Sequence, residues 1–291
     1  MTTSILIEVE KIVRRRLNQI ILAVMLGLLV VMYVLLWLAS DVVAEAGGDP
    51  DQVAGLRSAL FLEETVPFAM LLLYFFGFVG GVVAIGASVG SEYSWNTIRT
   101  LASVEPRRER ILLAKLIALW GTIVVSLVVG LIVALATSTV LTVVDGQFDL
   151  SFIDGDYVRE SGYSFLRLLV GTAPYFGLAF LLGTAGRSAT AGIALALGVA
   201  FLEGIVSGFM VLAGGWLGDL PRYMLDQNGD ALALAGGGPF DAIVGAGTPL
   251  GEAIDSPSVW HATSVLLVWT TLFLAGTFWA IRRQDLEYQG G

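Results

Sequence analysis

Residues 19–37 read QIILAVMLGLLVVMYVLLW, nineteen positions without a single charge. As a helix rising 1.5 Å per residue, such a run is about 28 Å long, close to the ~30 Å hydrocarbon core of a bilayer. Within lipid a helix satisfies its backbone hydrogen bonds internally, which an open strand does not. Runs of this kind recur along the chain, at about 20–38, 66–89, 116–143, 163–186, 189–213 and 259–281. The pattern predicts an all-α integral membrane protein with six transmembrane helices, forming a single transmembrane domain over residues 1–291.

Composition agrees. The 291 residues are 56% hydrophobic and only 14% charged, and the mean hydropathy is +0.81; a soluble globule carries roughly 25% charged residues. Cysteine is absent, which removes disulfides, thiolate metal sites and cysteine nucleophiles. The first run exceeds a signal-peptide core of about 7–15 residues. VVAEA at 42–46 is a weak small-x-small cleavage match, so a retained anchor is expected.

Lys and Arg set the orientation. With both termini inside, the inner segments hold Lys11, Arg14, Arg15, Arg16, Arg99, Arg107, Arg108, Arg110, Lys115, Arg187, Arg282 and Arg283, which is 12 of the 16 basic residues. Arg57, Arg159, Arg167 and Arg222 fall outside or at the outer edge, and the outer loops 39–65, 145–162 and 214–258 carry most of the acids. The positive-inside rule therefore predicts a multi-pass protein of the cytoplasmic (inner) cell membrane with both termini cytoplasmic. The net charge of -9 describes a solvated outer face, and no nucleic-acid partner is expected. Trp37, Trp216 and Trp260 are placed in the outer aromatic belt, and Trp120 and Trp279 in the inner one.

Two cytoplasmic features stand out. Over residues 3–18, Ile5, Val9, Ile12, Val13 and Leu17 recur at helical spacing, with Glu8, Lys11, Arg14 and Arg15 turned elsewhere; this predicts an amphipathic helix lying on the inner leaflet. The third run, from Ile111 to Val144, is too long for a perpendicular helix. Its cytoplasmic end is expected to project from the bilayer, with Lys115 snorkelling outward.

Membrane enzymes leave motifs that this chain lacks: no HExxH, no phosphate-cradling G-x-x-x-x-G-K-[ST] and no dinucleotide fingerprint after a strand. Gly86-Ala87-Ser88-Val89-Gly90 does match the G-x-S-x-G nucleophile elbow. Its context is the inner end of an apolar helix, however, and the only histidine, His261, begins the sixth span at the outer face. Roughly a membrane thickness would separate base from nucleophile. The match is read as small residues easing helix packing, and His261 as an interfacial residue.

Further small-residue pairs, Gly77/Gly81, Gly204/Gly208 and Gly214/Gly218, allow close helix approach. Glu203 lies near the middle of the fifth span, where an ionisable group is costly. Two readings are open for it: a polar contact on a transport path or subunit interface, or a structural hydrogen bond to a neighbouring helix.

The stretch between spans two and three, SEYSWNTIRTLASVEPRRERILLAK at 91–115, is far more charged than a simple connection requires. Apolar spacing through Ile98, Leu101 and Ala102, then Pro106, a basic cluster and the entry ILLAKL, predicts a short surface helix, a break and the start of the third span. This is the form of a docking element for a cytoplasmic partner.

The same stretch resembles the loop between the second and third spans of ABC-2-type exporter permeases. Glu92, Thr97, Arg99, Pro106, Arg107, Arg108 and Lys115 occupy that family's acidic, Thr, Arg, Pro, basic and Lys places. Asn96 stands where the family usually has Gly, a mild departure because both tolerate the left-handed conformation. The closing FWAIRRQDLEYQGG, the six spans and the N-terminal helix are similar as well.

The resemblance implies a permease subunit without its own motor. It would pair with a second copy and dock a separate cytoplasmic ABC ATPase through a cytoplasmic coupling helix in the loop at 90–112. Glu92, Thr97, Arg99, Pro106, Arg107, Arg108 and Arg110 would be the coupling residues. The family also suggests a symmetric interface on the fifth span around Glu203, Gly204 and Gly208. No cofactor is expected on this chain, with ATP and Mg bound by the partner. The alternative is a stand-alone secondary transporter or channel. That would call for internal repeats and paired intramembrane charges, and no repeat relates 20–143 to 163–281.

Overall fold

The computed structural model describes residues 2–47, 49–94, 108–236 and 257–283, and every regular element in them is helical. In chain order these are α1 (Thr2–Arg14), α2 (Arg16–Glu45), α3 (Pro50–Ser58), α4 (Thr65–Ser94), α5 (Arg108–Val144) and α6 (Gly155–Ala185). A π-helical turn (Ala191–Leu195) then leads into α7 (Ala196–Ala213), followed by α8 (Gly215–Asp219), a 3₁₀ turn (Leu220–Tyr223), α9 (Leu225–Leu234) and α10 (Val259–Arg283). Among the described residues, six helices are long and apolar enough to cross a membrane: α2, α4, α5, α6, the π turn with α7, and α10.

The helices overrun the hydropathy windows. The first extends over Arg16–Glu45 rather than 20–38, because the hydrogen-bond ladder continues past the hydrocarbon boundary that hydropathy detects.

α4 and α6 form the centre. Of their most apolar windows, 56% and 61% are buried within the chain, against 17% for α2, the fifth span and α10. Phe176 and Phe180 of α6 pack here with Phe68, Leu73 and Ile85 of α4. Pro174 sits inside α6 without ending it, as neighbouring helices allow within a membrane. The outer helices turn rows of large apolar side chains outward, including Val24, Leu28 and Val31 on α2 and Leu202, Ile205 and Phe209 on α7.

Small residues supply the closest approaches. Gly86 and Gly90 of α4 lie against the backbone of residues 188–193, and a Cβ on Gly86 would stand 2.8 Å from the carbonyl carbon of Gly192. Arg187 adopts a positive φ of 49° just before this contact, tightening the turn that brings the two backbones together. The G-x-S-x-G match is thus a packing seam. Gly77 does the same towards Leu127 of α5, and Gly81 towards Phe176 of α6.

Three expectations are revised. Gly214 is no packing glycine: with Gly215 it takes positive φ (67° and 60°) and turns the chain between α7 and α8. The stretch expected as an outer loop at 214–258 is, over 214–236, a helical segment folded back on the bundle. Trp269 Nε1 of α10 donates to the Tyr223 carbonyl at 2.9 Å, His261 Nε2 meets the Arg222 carbonyl at 2.9 Å, and Leu225, Asn228 and Leu232 are buried. Finally, the ends of the expected loop at 90–112 are helical, since α4 continues to Ser94 and α5 begins at Arg108.

Candidate functional site

The C-terminal end of α4 and the N-terminal end of α5 meet α1 around a largely buried ion cluster. It begins with the pitch of α1. Ile5, Glu8 and Ile12 are spaced i, i+3, i+7, so they share one face, and Glu8 is 7% exposed and Ile12 5%. The expectation that Glu8 turns away from the apolar stripe is corrected: it lies on that stripe, and α1 presses it against α5.

Lys115 receives it. This side chain is 6% exposed, paired with Glu92 of α4 and 3.6 Å from Glu8 Oε2. Lys11 closes the set at 2.6 Å from Glu8 Oε1. Lys115 therefore does not snorkel outward. With two carboxylates within reach, it stays inside, while Lys11, half exposed, pairs with Glu8 from the rim. Removing one partner from such a buried group typically costs about 3–5 kcal/mol, because the remaining charge is stranded.

A second tie runs through the break between α1 and α2. Arg15 is extended at φ -73°, ψ 120°, and its Nη1 donates to the Ala87 carbonyl (3.0 Å) and to Ser91 Oγ (3.2 Å) on α4. The carbonyls left open at the end of α1 accept from the next helix: Asn18 Nδ2 donates to Ile12 O at 2.8 Å and Gln19 Nε2 to Val13 O at 3.1 Å. The elbow is thereby held at a set angle against the last turns of α4.

Of the residues expected to couple, Glu92 joins this cluster. Arg108 opens α5, and Arg110 is exposed in its first turn. Thr97, Arg99, Pro106 and Arg107 lie outside the described residues. The cluster thus stands where the helices on both sides of residues 95–107 meet α1.

The residues expected on the fifth span separate. Glu203 points into its own chain, accepting from the backbone N–H of Leu225 and, at 3.4 Å, that of Asp226. It serves as a cap for α9, whose own capping residue, Met224, offers no side-chain hydrogen bond. Gly204 also faces inward, where a Cβ would lie 3.2 Å from Asp226 Oδ2. Gly208 alone of the three opens onto free space, so Gly204 and Gly208 do not share an outward face.

Sequence reasoning missed Glu8, Lys11 and Arg15 as pairing groups, and Asp226 as the neighbour of Gly204 and Ser207, whose Oγ is 3.4 Å from Asp226 Oδ2. The i, i+3, i+7 placement of Glu8 was the available signal. Lys11 pairs with Glu8 at i, i+3 within α1, a spacing the sequence also offered, whereas the partners of Arg15 and Asp226 lie in distant segments.

Comparison with protein families matches residues 4–212, from α1 to the end of α7, to the ABC-2 family transporter protein family. No curated protein matches the chain.

Proposed function

Because the chain belongs to the ABC-2 transporter family, we propose that it is the permease subunit of an ATP-driven exporter in the cytoplasmic membrane. It pairs with a second copy, keeps both termini cytoplasmic and docks a separate ABC ATPase that binds ATP and Mg. Residues 95–107 and the adjoining Arg108 and Arg110 meet that ATPase.

The observation that carries this reading is the buried set of Glu8, Glu92 and Lys115, with Lys11 at its rim. A push on the loop reaches the ends of α4 and α5 directly. Charges paired in a low-dielectric site resist separation, so α1 and the two spans respond as one body. A connection with no partner would have no use for such bracing. In this scheme Glu92 transmits, while Arg99 and the basic residues at 107–110 make contact.

The test is an affinity-tagged chain isolated from its native membrane, which is expected to retain an ABC ATPase. Arg99→Ala should weaken that retention, since truncating a desolvated interfacial charge costs roughly 2–5 kcal/mol of binding. Glu92→Gln should leave the ATPase bound and alter its hydrolysis rate in nanodiscs. A chain that purifies without any ATPase, or two variants that match wild type in both measurements, would overturn the proposal.

A further inference from the structure

We propose that a cleft beside the α1–α2 elbow holds one acyl chain of an anionic phospholipid from the cytoplasmic leaflet. The cleft has a volume of about 280 Å³ and lies between α2 and α5, with α4 as its floor. Gly77, Gly80 and Gly81 of α4 contribute no side chains of their own to that floor, which Leu127 of α5 and Ile21 of α2 approach closely from the sides. Met25, Leu119 and Ile123 make its walls apolar. From Leu119 to Leu127 it extends about 12 Å along α5, close to the ~15 Å depth of one leaflet's hydrocarbon.

The cleft is continuous with the surface that faces lipid. Val13 at its cytoplasmic end and Val125 on its α5 edge both line it, and they are 52% and 62% exposed. Ile20, Val24 and Leu28 of α2 and Val128 and Ile132 of α5 continue that exposed apolar surface on either side. An apolar cleft left empty forfeits dispersion contacts along its whole lining, and hydrocarbon from the adjoining bilayer restores them.

The mouth supplies what a headgroup needs. Arg14 and Arg16 flank the elbow and are both exposed, and cations at a cytoplasmic membrane surface attract anionic lipid. Asn18 lines the mouth, and its Oδ1 is buried with no hydrogen-bond partner among the described residues. A buried acceptor of this kind requires a donor, which a headgroup hydroxyl provides.

The experiment places the full chain in phosphatidylcholine vesicles with a trace of phosphatidylglycerol carrying a diazirine on one acyl chain, and maps the photolabelled residues. Label is expected at Met25 and Ser126, competed away by unlabelled phosphatidylglycerol, while label at Leu267 and Leu272 on the exposed face of α10 is not competed. Ser126→Phe and, independently, Ala84→Leu fill the cleft and should lower the label at Met25 to the α10 level, leaving the α10 label as a control for folding. Neutralising Arg14 or Arg16 to Gln should weaken competition about fivefold each, equivalent to about 1 kcal/mol per cation. Cleft labelling that does not saturate, or that both filled variants leave unchanged, overturns the proposal. So does a diazirine at position 25 that captures a second copy of the chain instead of lipid.

Discussion

Lys115 ties α1, α4 and α5 together, because Glu8 and Glu92 both pair with it. Lys115→Met keeps the apolar stem and removes the charge, so Glu8 and Glu92 lose the buried cation they share, while Glu8 keeps Lys11. The expected loss is about 3–5 kcal/mol, read as a lowered midpoint in detergent unfolding. Adding Glu8→Gln and Glu92→Gln should recover much of it, since neutral amides need no counter-charge. A single variant as stable as wild type would show that the cluster is not closed in solution. Glu203 makes a smaller and separable contribution. Glu203→Ala removes the acceptor at the start of α9, a capping loss of about 1 kcal/mol. It should show as faster hydrogen exchange at Leu225 and Asp226, with the spans unaffected.

Among the elements, α4 is the one whose position every neighbour constrains. Its glycines let α5, α6 and the turn before α7 approach in succession, and Gly90 lies against the backbone of Ser188 and Ala189. Backbone cannot swing aside as a side chain can. Gly90→Ala should therefore destabilise by about 1–3 kcal/mol through overpacking. Gly121→Ala is the matched control: it sits inside α5 with nothing within 4 Å of a new Cβ. There the substitution should be neutral or stabilise by roughly 0.5–1 kcal/mol by lowering the entropy lost on folding. Equal effects at the two positions would show that the α4 seam is looser than described.

For the molecule as a whole, orientation and pairing are the open measurements. The chain has no cysteine, so single-cysteine variants report cleanly. Asp156→Cys, at a side chain 76% exposed, should react with an impermeant maleimide from outside. Glu10→Cys, 60% exposed on α1, should react only after the membrane is opened. The reverse pattern would invert the topology and remove the docking role of residues 95–110. Pairing through the fifth span is narrowed to the face bearing Gly208. Gly208→Leu projects into open space within one copy, so it should insert normally and weaken dimers in a cross-linking assay. Undiminished dimerisation would move the interface elsewhere.

Span number, helical class and family were legible in the one-dimensional order of residues. Each depends on a local property: twenty or so apolar positions such as 19–37, or a motif such as Glu92 to Lys115. The bilayer reads these segment by segment, without reference to what packs against them. Partner choice was not legible in this way. That Lys115 turns inward to Glu8 and Glu92, that Glu203 caps α9, and that residues 214–236 fold back onto the bundle all join segments remote in sequence. A charge near a span end has two ways to avoid bare hydrocarbon, reaching for water or finding an opposite charge. Only the tertiary arrangement sets which of the two is closer.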